Sequence, residues 1–291
     1  MRKKIVWLLV SVMLLSAVVF GGCGKKEVTA ESLVKEVNEN MEKVKSYTGD
    51  MDMKMSMNVS SQGVAMDMDM GMQGTIEYTA EPEIVHMKGT VDVSLLGPAM
   101  NMDMDIYSQV EDDKTTVYMC MMDEWMKSET GSDESSIQDM YAIAEDGKDM
   151  TLAEETEKIG DREVYVLTST ITGEEFQEIM GVMENMTEGV GDMDWSNMQA
   201  NVTMKIYKDT ILPASVSIEM SDSGEGIESE GVTVKFNNLS VVMNYVDFDS
   251  VDSIEIPEEA LAAKSVDSEN ILGEEESILE SEVSETETEA Q

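Results

Sequence analysis

Methionine alternates with polar residues in three stretches of the chain between Tyr47 and Ile106. Successive side chains of a β-strand point to opposite faces, so each stretch predicts a strand with one thioether face and one acidic or polar face. Three such strands side by side would form a sheet with a thioether surface on one face and a carboxylate surface on the other. The alternating methionines are Met51, Met53, Met55 and Met57, then Met66, Met68, Met70 and Met72, then Met100, Met102 and Met104.

Helical spacing of apolar residues appears in three other places. The first predicted helix runs from Thr29 to Lys45, where Thr29 or Ser32 can act as the cap. The others cover 137–147 and 174–186. Between them, apolar alternation and short polar turns predict strands that pair in antiparallel fashion. The expected fold class is therefore α+β. The predicted strands, besides the first two methionine stretches, are 73–80, 84–93, 100–110, 115–122, 163–170, 201–207, 212–220 and 232–245.

The N-terminus has the features of an export signal. Three basic residues, Arg2 to Lys4, precede an apolar run from Ile5 to Phe20, which is short for a membrane span and suits a signal-peptide core. The run ends in small residues directly before Cys23, as in the lipobox of bacterial lipoproteins, where the cysteine is diacylated. We expect lipidation at Cys23 and attachment to the extracytoplasmic face of the cell membrane.

Composition divides the chain into four parts. Residues 1–22 are the expected signal peptide and 23–29 the lipid anchor and tether. Residues 30–262 are long enough for one α+β domain with a single core. From 263 to 291 the chain is mainly glutamate, serine and threonine, which cannot bury enough apolar surface to offset the entropy of ordering, so a disordered acidic tail is expected.

Charge and chemistry exclude several functions. The formal net charge of −42 repels nucleic acid and anionic headgroups. With Cys23 lipidated, Cys120 has no partner within the chain for a disulfide, and its neighbours offer no basic group to activate the thiol. The sequence contains no phosphate-binding glycine loop, nucleophile elbow or zinc-ligand spacing. We expect neither catalysis nor a cofactor.

The order of several short motifs resembles the LolA/LppX-like superfamily of lipoproteins. The motifs are the helix entering a strand at Lys45-Ser46-Tyr47, Ile106-Tyr107 leading to Val117-Tyr118 and Glu124-Trp125, the segments 160–167, 206–210 and 212–213, and the closing segment 254–260. The resemblance covers roughly residues 30–262. It implies an incomplete antiparallel β-barrel wrapped over the N-terminal helix and further short helices, enclosing an apolar cavity. Many members of the superfamily carry lipids, but the resemblance does not name a cargo.

The interpretation favoured here is a lipoprotein that binds a lipid or lipopeptide in a cavity lined by the eleven methionines and Trp125. Methionine is unbranched and polarizable, so it conforms to variable apolar partners. Methionine as ordinary core filling is the simpler explanation of the same pattern. Soft-metal binding is an alternative because thioether sulfur suits Cu(I), although period-2 methionines need a second strand to complete a site. The remaining alternative is a surface interaction module without a ligand, acting through its acidic exterior.

Two polar features are assigned structural roles. Asp67, Asp69 and Gly71 approach the pattern of a calcium loop, but ligands on a flat strand diverge into solvent, so a solvated acidic face is expected. His86 is the only histidine, and we expect it to lie on a strand with an exposed ring.

Overall fold

A computed structural model describes residues 28–61, 63–95, 99–111, 114–131, 150–172, 198–221, 226–229 and 232–265. These residues form fourteen strands and two helices. The described part is therefore mostly β, with less helix than the α+β expectation. The predicted signal peptide, Cys23 and the helices predicted at 137–147 and 174–186 lie outside the described residues.

The two helices are α1 (Ala30–Met41) and α2 (Glu258–Leu261). The strands are β1 (Ser46–Ser61), β2 (Val64–Ala80), β3 (Glu83–Leu95), β4 (Met100–Glu111), β5 (Lys114–Met121), β6 (Glu124–Gly131), β7 (Thr151–Leu152), β8 (Glu157–Ile159), β9 (Arg162–Thr172), β10 (Gln199–Tyr207), β11 (Pro213–Ser221), β12 (Ile227–Ser229), β13 (Val232–Phe248) and β14 (Lys264–Ser265).

All of these strands belong to one open sheet. Its order is β14-β6-β5-β4-β3-β2-β1-β13-β11-β10-β9-β7, with β12 paired to β13 and β8 paired to β9. Neighbours run antiparallel, as the turn pattern predicts, except that β14 runs parallel to β6. The long strand β13 pairs with β1 on one side and with β11 on the other, and so joins the meander β1–β6 to β9–β11.

The register keeps one face of this sheet apolar from strand to strand. We call the face that carries Met51, Met53, Met55 and Met57 the methionine face, and the opposite face, which carries Asp52, Asp69, Asp92 and Asp103, the carboxylate face. Towards β6, the methionine face continues through Ile76, Met87, Ile106 and Met119, each directly opposite the next. Towards β9, it continues through Met243, Val216, Met204 and Leu167.

Helix α1 begins at the predicted cap. The Oγ1 of Thr29 accepts a hydrogen bond from the backbone N–H of Ser32 at 3.2 Å, and the Oγ of Ser32 accepts one from the backbone N–H of Thr29 at 3.0 Å. This capping box satisfies two N–H groups that have no partner within the helix. The apolar side of α1 then covers the methionine face at β9 and β10, where Leu33, Val34 and Val37 pack with Leu167, Met204 and Ile206.

The sequence places the end of this helix at Lys45, and that prediction is wrong by four residues. The helix ends at Met41, and Val44 lies beyond it in a buried position beside the start of β1. A tertiary contact lies beside this end, because the side chain of Asn40 donates to the backbone carbonyls of Thr210 and Ile211, each at 3.3 Å. Apolar spacing alone does not reveal that contact.

The C-terminal segment of the described chain packs on the carboxylate face. Ile254 and Ala260 join a buried cluster with Ile84, Tyr107 and Tyr118, three residues of β3, β4 and β5. β14 follows and pairs with β6, although its two residues fall within the predicted acidic tail. Residues 266–291, the rest of that tail, lie outside the described residues. None of the helices in the described ranges is long and apolar enough to span a membrane.

Candidate functional site

Three methionine pairs stand next to one another at the centre of the methionine face. In the register of β1 with β2, Met53 lies opposite Met72, Met55 opposite Met70, and Met57 opposite Met68. We call these six residues the methionine ladder. Directly opposite side chains in an antiparallel pair have Cβ atoms about 4.5–5.5 Å apart, so the two thioethers of each pair are close neighbours. The sequence predicts the alternation, and the hairpin between β1 and β2 sets which residues meet.

Apolar residues border the ladder on both sides. On β3, Val91 and Val93 lie opposite Met72 and Met70. On β13, Val241 and Leu239 lie opposite Met53 and Met55. The ladder methionines are half-buried, whereas Leu239 is buried. The centre of this face is therefore an apolar surface that keeps some exposure to solvent.

The structure places all eleven predicted methionines on this one face, but it changes the order of their strands. The three methionine strands do not all lie side by side, because β3, the strand predicted at 84–93, lies between β2 and β4. On the methionine face, β3 places Val91 opposite Met102 and Val93 opposite Met100. Met104 is buried, and Met51 lies opposite Met243. The apolar face is therefore continuous, and the eleven predicted methionines form two groups on it, with Met87 of β3 between them.

Trp125 does not lie with the methionines. It is the second residue of β6 and lies opposite Cys120, which in turn lies opposite Asp105 on the carboxylate face. Its ring is 6.0 Å from that of Tyr107, and it packs against the cluster that includes Ile254. Since side chains alternate along a strand, the structure separates Trp125 from the surface that it was expected to line.

Several residues that the sequence did not single out extend the methionine face. Met104 lies opposite Met121, and Met119 opposite Met126. The period-2 signal is present here but weaker, because valine, serine and glutamate occupy some of the alternate positions. Only the pairing of β4, β5 and β6 shows that these methionines share the same surface.

Carboxylates on the opposite face pair with amides of neighbouring strands. Asn58 donates to Asp67 at 2.7 Å, and Asn101 donates to Asp92 at 2.7 Å. A depression of about 280 Å³ opens on this face, lined by Lys54, Ser56, Asp69, Gly71, Asp92, Ser94 and Asn238 together with Met55, Met70 and Ala99. Within the described ranges, no three histidine, cysteine, aspartate or glutamate side chains are grouped to hold a metal ion. This part of the sheet has the cross-strand hydrogen bonding expected of a solvated polar face.

The predicted exposure of the His86 ring is wrong. Its side chain is only 15% exposed, and its ring stacks on Tyr107 with centroids 4.2 Å apart. Nδ1 lies 3.1 Å from the carboxylate of Glu77, and Nε2 lies 2.9 Å from that of Asp105. Lys88 also donates to Asp105, at 3.0 Å, and this hydrogen bond raises the pKa of Lys88. The cluster links β2, β3 and β4 through side-chain contacts on the carboxylate face.

Cys120 lies on the carboxylate face as a free, half-buried thiol. Burial raises its pKa, and the nearby carboxylates of Asp123 and Asp105 add to that rise. A thiol with a raised pKa carries little thiolate at neutral pH and reacts slowly. Lys88 of β3, a basic residue that lies far from Cys120 in the sequence, lowers the pKa of this thiol by less than burial raises it.

Comparison with known proteins identifies one family. Residues 29–265 match a family described as "Family of unknown function (DUF6612)". No curated protein matches the chain. Among solved structures, the chain is similar to a DUF1329 family protein from Desulfovibrio piger ATCC 29098, with 11% identity, coverage of 77% of this chain and 93% of that chain, and a TM-score of 0.22.

A second structure is a β-barrel-like protein of the domain of unknown function DUF1849 from Brucella abortus, with 12% identity, coverage of 72% of this chain and 99% of that chain, and a TM-score of 0.23. At these TM-scores neither likeness supports an argument about fold or function. The resemblance to LolA/LppX-like lipoproteins stays a prediction. The family match covers the whole described part of the chain except Val28, and on that match the protein belongs to the DUF6612 family.

Proposed function

We propose that this protein is an extracytoplasmic lipoprotein, anchored to the cell membrane through Cys23, that binds an apolar ligand on its methionine face. The ligand class is a lipid or a lipopeptide. The protein acts by binding and not by catalysis, and nucleic acid is not a partner. The observation that carries the proposal is the gathering of eleven alternating methionines on one face of a single sheet, with the central ladder half-buried.

The energetics favour an apolar partner. Full burial of a methionine side chain stabilises a structure by roughly 1.5–3 kcal/mol relative to exposure. Because the ladder side chains are only half-buried, a ligand that covers their exposed part gains the rest of this free energy on binding. Methionine has three flexible side-chain bonds and adapts to partners of irregular shape, as an acyl chain requires. Such a ligand would meet only apolar atoms between Val93 and Leu239, on either side of the ladder.

The proposed architecture is a LolA/LppX-like incomplete barrel. In its support, long antiparallel strands form one open sheet, and α1 lies on the same face as the methionines. A sheet that wraps over a helix on its apolar side would hold a cavity next to that helix. The membrane anchor is proposed from the basic start, the apolar run and the small residues before Cys23.

Lipid extraction from matched variants tests the binding proposal. The full chain is purified from its own host and extracted with organic solvent, and noncovalent lipid per protein is measured by mass spectrometry. Met70→Glu introduces a charge into the ladder and should reduce bound lipid severalfold, because an ionised carboxylate is costly to cover with an acyl chain. Ser56→Glu introduces the same charge on the carboxylate face, next to Met55, and should leave bound lipid unchanged.

Both variants are first checked for folding by circular dichroism. Wild-type protein without noncovalent lipid would contradict the proposal and favour an interaction module acting through its acidic exterior. Equal lipid content in the two variants would show that any bound lipid lies elsewhere on the molecule.

A further inference from the structure

We propose that the methionine ladder is also a binding site for the soft cation Cu(I). This inference does not depend on lipid binding, because it concerns the sulfur atoms of the ladder and not its apolar area. The sequence leaves open whether a second strand supplies the ligands that period-2 methionines on one strand lack. The pairing of β1 with β2 supplies them at three consecutive positions.

The spacing suits an ion held between pairs. Within each pair the Cβ atoms lie about 4.5–5.5 Å apart, and each thioether extends two further bonds from Cβ, so both sulfurs can turn towards one ion. Consecutive pairs follow at about 6.6 Å along the strand, twice the rise per residue. Met55 and Met70 form the middle pair, so each four-sulfur arrangement built from two consecutive pairs includes both of them.

The available donors select for a soft metal. Thioether sulfur is neutral and favours Cu(I), whereas calcium and magnesium need oxygen ligands. Asp52 and Asp69 alternate with the ladder methionines and lie on the opposite face, as do His86 and Cys120. The ladder therefore offers thioethers without carboxylate, imidazole or thiolate.

The surroundings favour a cation of low charge. Neutral ligands leave the charge of the ion uncompensated, so a single charge costs less to hold beside Val91, Val93 and Leu239 than a double charge. The net charge of −42 raises the local concentration of cations around the protein. The half-burial of the ladder leaves its sulfurs a route to solvent.

A competition titration tests the site. The full chain carrying Cys23→Ala and Cys120→Ala, which removes both thiols, is titrated with Cu(I) under anaerobic, reducing conditions against a chromogenic chelator. The test variant adds Met55→Leu and Met70→Leu. Leucine keeps nearly the same apolar volume and removes the sulfur. Removing a residue that only hydrogen-bonds to a metal ligand typically weakens metal binding 10–100-fold. Removing two residues that bind the metal directly should therefore weaken Cu(I) binding by at least about tenfold.

The matched control removes two methionines that have no methionine opposite them in these pairs. Met66 lies opposite Val59, and Met102 lies opposite Val91. The double variant Met66→Leu with Met102→Leu should therefore bind Cu(I) as tightly as its thiol-free parent. X-ray absorption of the loaded parent should show a shell of sulfur ligands alone.

Failure of this inference is distinguishable from failure of the lipid proposal. Noncovalent lipid is measured by solvent extraction and Cu(I) affinity by chelator competition, so a protein that carries lipid and binds no Cu(I) contradicts this inference alone. The inference is overturned if the thiol-free parent binds no Cu(I), if the two double variants bind it equally, or if nitrogen or oxygen ligands dominate the absorption spectrum.

Discussion

Replacing Gly89 by alanine tests how closely β2 and β3 approach each other beside the methionine ladder. Gly74 and Gly89 lie opposite one another on the methionine face. A Cβ atom built on Gly89 overlaps the carbonyl oxygen of Gln73 and the Cα of Gly74. A Cβ built on Gly74 lies 2.6 Å from the carbonyl oxygen of Lys88. These obstacles are backbone atoms held in a strand ladder, so they cannot move aside as a flexible side chain would.

The cost follows from overpacking. Forcing an extra methyl group into a well-packed site typically costs 1–3 kcal/mol. Alanine has less conformational freedom than glycine in the unfolded chain, which raises the free energy of unfolding by about 0.4–1 kcal/mol. This gain applies only where the native backbone accepts alanine without strain. We expect Gly89→Ala to lower the free energy of unfolding by about 1–3 kcal/mol. With a urea m-value of about 3 kcal/mol/M, the unfolding midpoint falls by about 0.3–1 M.

Gly71→Ala is the matched control, since Gly71 lies on the same hairpin at an open position. A Cβ there meets the Cβ of Asp92 at 3.8 Å and the carbonyl oxygen of Met53 at 3.9 Å, both ordinary contacts. This substitution should leave the free energy of unfolding unchanged or raise it by up to about 1 kcal/mol. Urea unfolding of the full chain, followed by far-ultraviolet circular dichroism, measures both. Equal shifts in the two variants, or a stabilised Gly89→Ala protein, would refute the reasoning.

Three further predictions concern charge, the thiol and the anchor. Arg162 donates to Asp209 at 2.6 Å, and this hydrogen bond lowers the pKa of Asp209. The carboxylate therefore contributes stability above the pKa of the unfolded chain and loses that contribution as the pH falls through its lowered folded pKa. Melting temperatures of Asp209→Asn and wild type should differ at pH 6 and converge as the pH falls below that folded pKa. In a Cys23→Ala background, iodoacetamide should alkylate Cys120 at pH 8 more slowly in folded than in urea-unfolded protein, because burial raises the pKa of the thiol; equal rates would contradict this. Metabolic labelling with an alkyne fatty acid should mark the wild type and not Cys23→Ser, and label on both would place the lipid elsewhere.

The capping box and the alternating strands are features that neighbouring residues in the sequence are enough to predict. Thr29 and Ser32 were identifiable as capping residues because the bonds of a cap span only three residues. The strands containing Met53 and Met70 were identifiable because a period of two is a property of the strand itself. Long-range contacts decided the rest: Asn40 meets the turn at Thr210 beside the end of α1, and no local pattern encodes that contact.

The same limit explains the errors at the candidate site. Trp125 follows a turn in which Met122 and Asp123 both have positive φ. The residue at which β6 begins after this turn decides on which face of the sheet the Trp125 side chain lies. His86 was expected to be exposed because Glu77 and Asp105, which contact its ring, lie on two other strands. Each of these outcomes depends on register, and a shift of one residue would exchange the two faces.

The sequence by itself determined that this protein has strands with a thioether side and an acidic side, because that alternation is written in neighbouring residues. Only the tertiary structure decided that Met55 meets Met70, that β3 separates the two groups of methionines, and that one apolar face runs from β6 to β9. The physical reason is that strand pairing joins residues far apart in the chain through backbone hydrogen bonds, which any sequence can form. The choice among registers therefore depends on how well the whole sheet buries its apolar face.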